Sequence, residues 1–418
     1  MNAIMPKGWC PSLLEPMASG DGLLVRVRPP RAVLTAEAAR QLGAAAARFG
    51  NGAIELTNRA AIQVRGLTAA SVAPFAAAMI AAGLADADVE RRRAIVASPL
   101  IGDDPGASRH ARAVASTIEA RASRDARLAK LPPKFVVAVD GGGVLPLGDI
   151  GADIRVVCDD AECLVTIAGA RFGAAAAPAS VPDMVDRLAL AFLRLAARCS
   201  PAPQRMRALV LAVGTPALFA AAGMEASRPL PNVRTRSVIG FLPYAEGDRG
   251  AFGVGLPFGG LTAATLASLA DLVERFGDGT LRGTPWRTFA IPGIAAKAAA
   301  GLCEAAARLG MIVDPRDPRR SVIACPGRPS CASASVETRA DAELLVSLAL
   351  PELVHVSGCA KGCAHPAPAR FTLVGDGGRY AIIRDGRPGD APVHRNLTIE
   401  QAVAVLRSLH PSRAGGGG

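Results

Sequence analysis

Several things are scarce in this chain. Aromatic residues make up 4% of its 418 positions, and no basic run is interleaved with stacking side chains, which argues against nucleic acid as a partner. Half the residues are hydrophobic and the mean hydropathy is +0.28, yet the apolar stretches are alanine-rich and broken. RALVLAVGTPALFAAAG, for example, is interrupted by Gly214 and Pro216. No uninterrupted run reaches the ~18 apolar residues that would span a bilayer. The opening MNAIMPKGWCPSLLEP has no basic stretch followed by a continuous apolar core, so a cytoplasmic location is expected. There is no P-loop, and the triplet Gly141 to Gly143 is no dinucleotide fingerprint because the G-x-G-x-x-G spacing and its helix are missing. Any dependence on NADH must then run through a partner reductase or carrier.

Lysine is scarce too. Of 47 basic residues only Lys7, Lys130, Lys134, Lys297 and Lys361 are lysines, and the formal net charge is +11. Arginine forks match carboxylates and phosphates bidentately, which suits a polyanionic ligand. The abundance of alanine points to base composition as the reason for arginine at most surface positions.

What the chain does have is four cysteines near its end: Cys325 and Cys331 in ACPGRPSCASAS, then Cys359 and Cys363 in HVSGCAKGCAHP. The C-x5-C and C-x3-C pairs lie in Gly/Pro-rich loops, the manner in which a protein offers four thiolates to an iron-sulfur cluster. Zinc sites favour tighter C-x2-C knuckles, and disulfides belong to oxidising compartments. Four unrelated buried cysteines would leave the flanking Gly and Pro unexplained. Cys10, Cys158, Cys163, Cys199 and Cys303 read as scattered structural residues.

An internal repeat organises the chain. LTAEAARQLGAAAARFGNG from Leu34 and LTAATLASLADLVERFGDG from Leu261 run in one register 227 residues apart, and the same offset joins Ser98-Pro99 to Cys325-Pro326. Such an ungapped register marks a duplication. Each copy reads as an α+β half-domain: in the first, GLLVRVRP is a strand, residues 35–48 a helix capped by Thr35, AIELTNR and AIQVRG short strands, and residues 69–84 a second helix. The two copies are expected to pair across a pseudo-twofold axis through open sheet edges. A larger α/β segment follows each half. Only the second carries the cysteines, since the first has Ser98 for Cys325 and Asp140-Gly-Gly for Ser357-Gly358-Cys359. The expected boundaries are 1–90, 91–226, 227–314 and 315–418, with a linker around residues 227–237.

This duplicated layout resembles the sulfite and nitrite reductase haemoprotein family over nearly the whole chain. The resemblance implies an α+β architecture in which two ferredoxin-like half-domains alternate with two larger α/β domains. It also implies a 4Fe-4S cluster on Cys325, Cys331, Cys359 and Cys363, and maps the family's basic tetrapyrrole-side residues onto Arg59 in LTNRAAIQVRG, Arg93 in RRRAIVAS and Lys134 in LPPKF. A narrower similarity, carried by CPSLLEPMASGDGLLVR, AVDGGG and SGCAKGCAHP, is to the branch of that family that acts in aerobic cobalamin biosynthesis. That branch implies a monooxygenase that hydroxylates precorrin-3A and closes a lactone. Dioxygen, an electron donor (NADH through a reductase, or a ferredoxin-like carrier) and a mononuclear non-haem iron are implied with it. The tetrapyrrole is then substrate, and bound sirohaem is not expected.

One departure from the reductases favours that branch. They carry a second lysine two residues after the one matched by Lys134, and Val136 stands there instead; valine cannot donate a proton to a bound anion. Two other readings stay open: a sirohaem-dependent sulfite or nitrite reductase, and a non-catalytic cluster-bearing electron carrier. Iron of the two-His-one-carboxylate kind has only His110, His355, His365, His394 and His410 to draw on. His365 reads as a ligand, a cluster neighbour or a plain loop residue, and Asp140 as a ligand or part of a glycine turn.

Overall fold

The structure, a computed structural model, describes residues 11–85, 94–148, 150–233, 237–245 and 247–409. The duplication holds at the level of single hydrogen bonds. Thr35 Oγ1 accepts from Ala38 N at 3.1 Å at the start of the helix Ala36–Phe49, and Thr262 Oγ1 accepts from Thr265 N at 3.1 Å at the start of Ala263–Phe276. Each cap satisfies one of the orphan donors of a first turn. Both helices bury an Ala/Leu stripe, and they pack on each other in one core that includes Leu42, Ala46, Leu266 and Leu269. The exposed pair of Arg40 with Asp271, at 2.7 Å, adds little beside that burial.

Each half-domain completes its neighbour's sheet. The first sheet runs Met17–Ser19, Gly22–Val27, Ile62–Leu67, Ala53–Leu56 and then Gly260–Thr262, a strand from the second half. The second runs Gly240–Pro243, Arg249–Gly255, Thr288–Ala295, Thr280–Gly283 and then Val33–Thr35 from the first half. The open edges expected from the sequence are thus covered reciprocally, which removes two exposed rows of backbone donors and acceptors.

The larger segments repeat each other as well. In one sheet Ala94–Ala97, Val136–Asp140 and Ile154–Cys158 are parallel and Cys163–Ile167 antiparallel; Phe172–Ala176 and Arg228–Pro229 extend it. In the other Val322–Ala324, Val354–Ser357 and Ala369–Asp376 are parallel, and Arg379–Gly386 and His394–Leu397 follow antiparallel. The helices Val181–Ala196, Met206–Val213 and Thr215–Ala221 pack beside the first of these sheets and were not read from the sequence. Cys158 and Cys163, read there as scattered, stand opposite each other across a hairpin and form a disulfide. No described helix is long and apolar enough to cross a membrane.

Candidate active site

The cysteine loops hang from the C-terminal ends of two parallel strands. Cys325 follows Val322–Ala324, and its N–H donates to Val356 O at 3.2 Å; Cys359 follows Val354–Ser357. Gly358 N donates to Cys325 Sγ at 3.2 Å, and Thr338 Oγ1 to Cys325 O at 2.5 Å. The C-x5-C loop turns at Gly327, whose φ is +68° and where a Cβ would lie 2.3 Å from Thr338 Oγ1, so only glycine fits.

The four cysteines act on one another electrostatically. Cys359 is pushed above the ordinary thiol range by burial and by Cys331 and Cys325. Cys363 is an exposed residue whose thiol is nonetheless pushed up, first by desolvation and then by Cys359, Cys325 and Cys331. Four thiolates repel one another here unless a cationic centre lies between them.

Beside these loops lies a cleft lined by Arg26, Arg287, Arg339, Glu55, Cys325 and Cys363, among others. Its volume of about 220 Å3 is below the range usual for sites that enclose a whole ligand, so a large ligand enters by one edge. Glu55 is buried and accepts from Arg339 Nη2 and, at 3.0 Å, from Gln63 Nε2, which in turn is held by Arg26 Nη2 on Oε1 at 2.5 Å. Arg287 Nη2 donates to Ala364 O at 2.9 Å. Desolvation holds the Arg287 pKa below the ordinary guanidinium value, against the pull of Glu55. Three guanidiniums face one carboxylate, so the lining favours an anionic ligand.

Arg59 and Lys134, predicted from the sequence, stand together. Arg59 Nη2 donates to Lys134 O at 3.3 Å. Thr57 and Asn58, next to Arg59, line the cleft, whereas neither Arg59 nor Lys134 does; Arg93 lies outside the described residues. Sequence reasoning missed Arg26, Glu55, Arg287 and Arg339. The repeat held a usable signal: Glu55, Arg287 and Arg339 correspond at the 227-residue offset to Arg282, Ala60 and Arg112, so two of the three change type between copies.

The pseudo-twofold axis produces a second recess, lined by Arg31, Ser98, Asp103, Arg112 and Arg282. There Arg282 is paired with Asp103 at 3.0 Å. Left-handed backbone occurs at Arg31 and Ala60 (φ +52° and +56°) and at their repeat partners Phe258 and Arg287 (+50° and +58°). That strain therefore belongs to the turns of the fold and not to the arginine side chain.

In place of a cysteine loop the first copy has a hydrogen-bonded plug. Gly141 N donates to Ser98 Oγ at 3.0 Å, as Gly358 N does to Cys325 Sγ. Ser98 Oγ donates to Asp140 Oδ1 at 3.0 Å, and Asp140 also accepts from Gly142 N and Leu147 N at 2.9 and 2.8 Å. Asp140 is 1% exposed and both its oxygens are engaged, which favours the glycine-turn reading over that of a ligand. Asp140→Ala leaves three buried donors unsatisfied and is expected to destabilise the chain by about 3 kcal/mol in a urea titration, with iron content per folded molecule unchanged. A loss of iron without a loss of stability would contradict this assignment.

His355 is fully buried with neither ring nitrogen partnered, and its ring stands 5.7 Å from that of His365. Burial, His365 and Arg287 push it down to about 4, so it stays neutral at ordinary pH.

Known proteins can now be set beside this geometry. The nitrite/sulfite reductase ferredoxin-like half domain matches residues 15–82 and again residues 243–309. A precorrin-3B synthase from a Sinorhizobium species is 36% identical over 404 residues, covering 93% of this chain and 85% of its own length. A ferredoxin–nitrite reductase of Synechococcus elongatus is 23% identical over 412 residues, covering 88% of this chain and 78% of its own. The solved structure of the Mycobacterium tuberculosis NirA protein superposes with a TM-score of 0.73 at 20% identity, covering 95% of this chain and 82% of that one; at that identity it speaks for the fold alone. With both half-domains matched and the synthase followed along nearly its full length, the chain belongs to the precorrin-3B synthase family, enzymes built on the nitrite and sulfite reductase fold.

Proposed function

We propose that this enzyme hydroxylates precorrin-3A with dioxygen and closes a lactone on it, in aerobic cobalamin biosynthesis, with a 4Fe-4S cluster on Cys325, Cys331, Cys359 and Cys363. The observation that carries the reading is the basic cleft opening directly onto two of those cysteines. The donor set fits a cluster by its chemistry: four cysteines on two neighbouring loops act on one another electrostatically. When bound, the cluster supplies electrons one at a time.

The chain's own part is binding and orientation. Arg26, Arg287 and Arg339 take the acetate and propionate carboxylates of the macrocycle rim through charge-assisted hydrogen bonds. Glu55 holds Arg339 and Gln63 in place, which fixes the direction of the forks before substrate arrives. Arg59 and Lys134 extend the basic surface beside Thr57 and Asn58. Val136 is buried among Val96, Ala138 and Leu147, so the position that would serve anion reduction faces a core.

Among the described residues no group of three or more His, Cys, Asp or Glu is arranged around a single ion, so the expected mononuclear iron has no matching residue set there. His355 and His365 are near each other, but the charged groups acting on His355 are His365 and Arg287, with no carboxylate among them.

Labelled dioxygen tests the reading. Enzyme reconstituted anaerobically, then given precorrin-3A, a low-potential one-electron donor and 18O2, is expected to yield a product carrying one labelled hydroxyl oxygen. The lactone oxygens are expected to come unlabelled from the substrate's acetate. A hydroxyl derived from water, or brisk sulfite reduction by a haem-containing preparation, overturns it.

A further inference from the structure

The N-terminal hairpin and the strand Ile62–Leu67 of the first half-domain reach across to the C-x5-C loop. The carbonyl of Ser330, the residue before Cys331, accepts three donors: Ser19 Oγ at 2.6 Å, Gly20 N at 3.1 Å and Arg65 Nη2. The approach is so close that a Cβ on Gly20 would lie 2.2 Å from Pro329 O. Arg65 is itself buried and is held in one orientation. Its Nε and Nη2 bond Asp21 at 2.9 and 3.0 Å, its Nη2 also meets Ser19 Oγ at 2.7 Å, and its Nη1 lies 3.5 Å from Glu55. The repeat does not mark this residue, because the position 227 residues on is Pro292. A buried arginine with two carboxylates on one side and a loop carbonyl on the other is costly to build, and its fork is aimed at the loop that presents Cys331.

We propose that Arg65 is a positioning residue for the iron-sulfur centre: it pins the Cys331 loop through the Ser330 carbonyl and holds a positive charge beside that thiolate, which raises the centre's reduction potential. The inference rests on the cluster assignment above. Reduction adds one electron and so one negative charge to the centre. A buried guanidinium nearby stabilises that charge more than the same guanidinium would across water, because the local dielectric is low. The charge on Arg65 is in turn favoured by Asp21, Glu55 and Cys331 acting against desolvation. Asp21 and Glu55 oppose the effect, since both carboxylates lie on the same guanidinium.

Arg65 and Asp21 should therefore move the potential in opposite directions. In a redox titration of the reconstituted full chain followed by electron paramagnetic resonance, Arg65→Gln is expected to shift the midpoint to more negative values. Asp21→Asn is expected to shift it to more positive values, and Arg65→Lys to leave it near that of the parent. Iron and sulfide content are measured alongside. Shifts of the same sign in R65Q and D21N, or no shift in either with cluster content intact, overturn the proposal and leave the cluster assignment standing. A parent chain that reconstitutes with zinc or without sulfide overturns the cluster assignment instead. Should R65Q not fold, D21N still decides, because it is nearly isosteric and its side chain sits at the edge of the network.

Discussion

Cys359→Ser is expected to leave a folded chain with no visible charge-transfer absorbance and with iron and sulfide near zero after reconstitution. Serine's hydroxyl is a far weaker ligand than a thiolate, and Cys359 already feels Cys331 and Cys325, so its loss opens one corner of the set that surrounds the centre. The fold should survive. Cys359 lies past the end of Val354–Ser357 and outside the core formed by Val354, Val356, Phe371 and Leu373. The loop backbone is also held by the Ser357 hydroxyl, which donates to Cys359 O at 2.7 Å. Far-ultraviolet circular dichroism should match the parent while turnover is lost. Parent-like absorbance in the variant, or one zinc per chain in the parent, would sink the cluster assignment.

Arg287→Ala should weaken precorrin-3A binding by about 1.5–3 kcal/mol, roughly 10- to 150-fold in Kd, the usual worth of a hydrogen bond to a charged group. Desolvation opposes the charge on Arg287, so a carboxylate bonded to it is poorly screened. It also tethers Ala364, one residue past Cys363, so iron content has to be measured beside affinity to separate substrate binding from loop anchoring. Arg282→Ala in the pseudo-symmetric recess is the control. That residue is matched to Glu55 by the repeat and already paired with Asp103, and its loss should leave affinity unchanged. Equal losses in both variants, or none in Arg287→Ala, would remove the cleft from the substrate's path.

Much of this enzyme could be read locally. A helix cap such as Thr35 acts on a backbone donor three residues away, and the alternation of strands and helices follows from short-range periodicity, so both were legible before any packing was known. The cysteine spacing was legible for a similar reason: C-x5-C and C-x3-C are each bridged by one short loop, and few chemistries use four thiols in that pattern. The repeat told that two halves meet, because identical registers leave identical open edges. It did not tell that the halves exchange strands, with Val33–Thr35 and Gly260–Thr262 each joining the other's sheet.

The basic cleft was not legible. Arg26, Arg287 and Arg339 come from three separate segments, in a chain where arginine is common for reasons unrelated to binding, and no local pattern says which of them face one another. Asp140 stayed open between ligand and glycine turn for the same reason: an acidic residue before three glycines looks available, and only the folded turn shows Ser98, Gly142 and Leu147 using its oxygens. The sequence by itself determined the duplication, the capped helices and the four cysteines, because those signals lie within a few residues or in a fixed offset. The tertiary structure alone decided which guanidiniums line the cleft, that Glu55 is bonded beside them, and that Arg65 reaches the Cys331 loop. Side-chain direction at these places depends on strands paired across the two halves and on burial that no single segment contains.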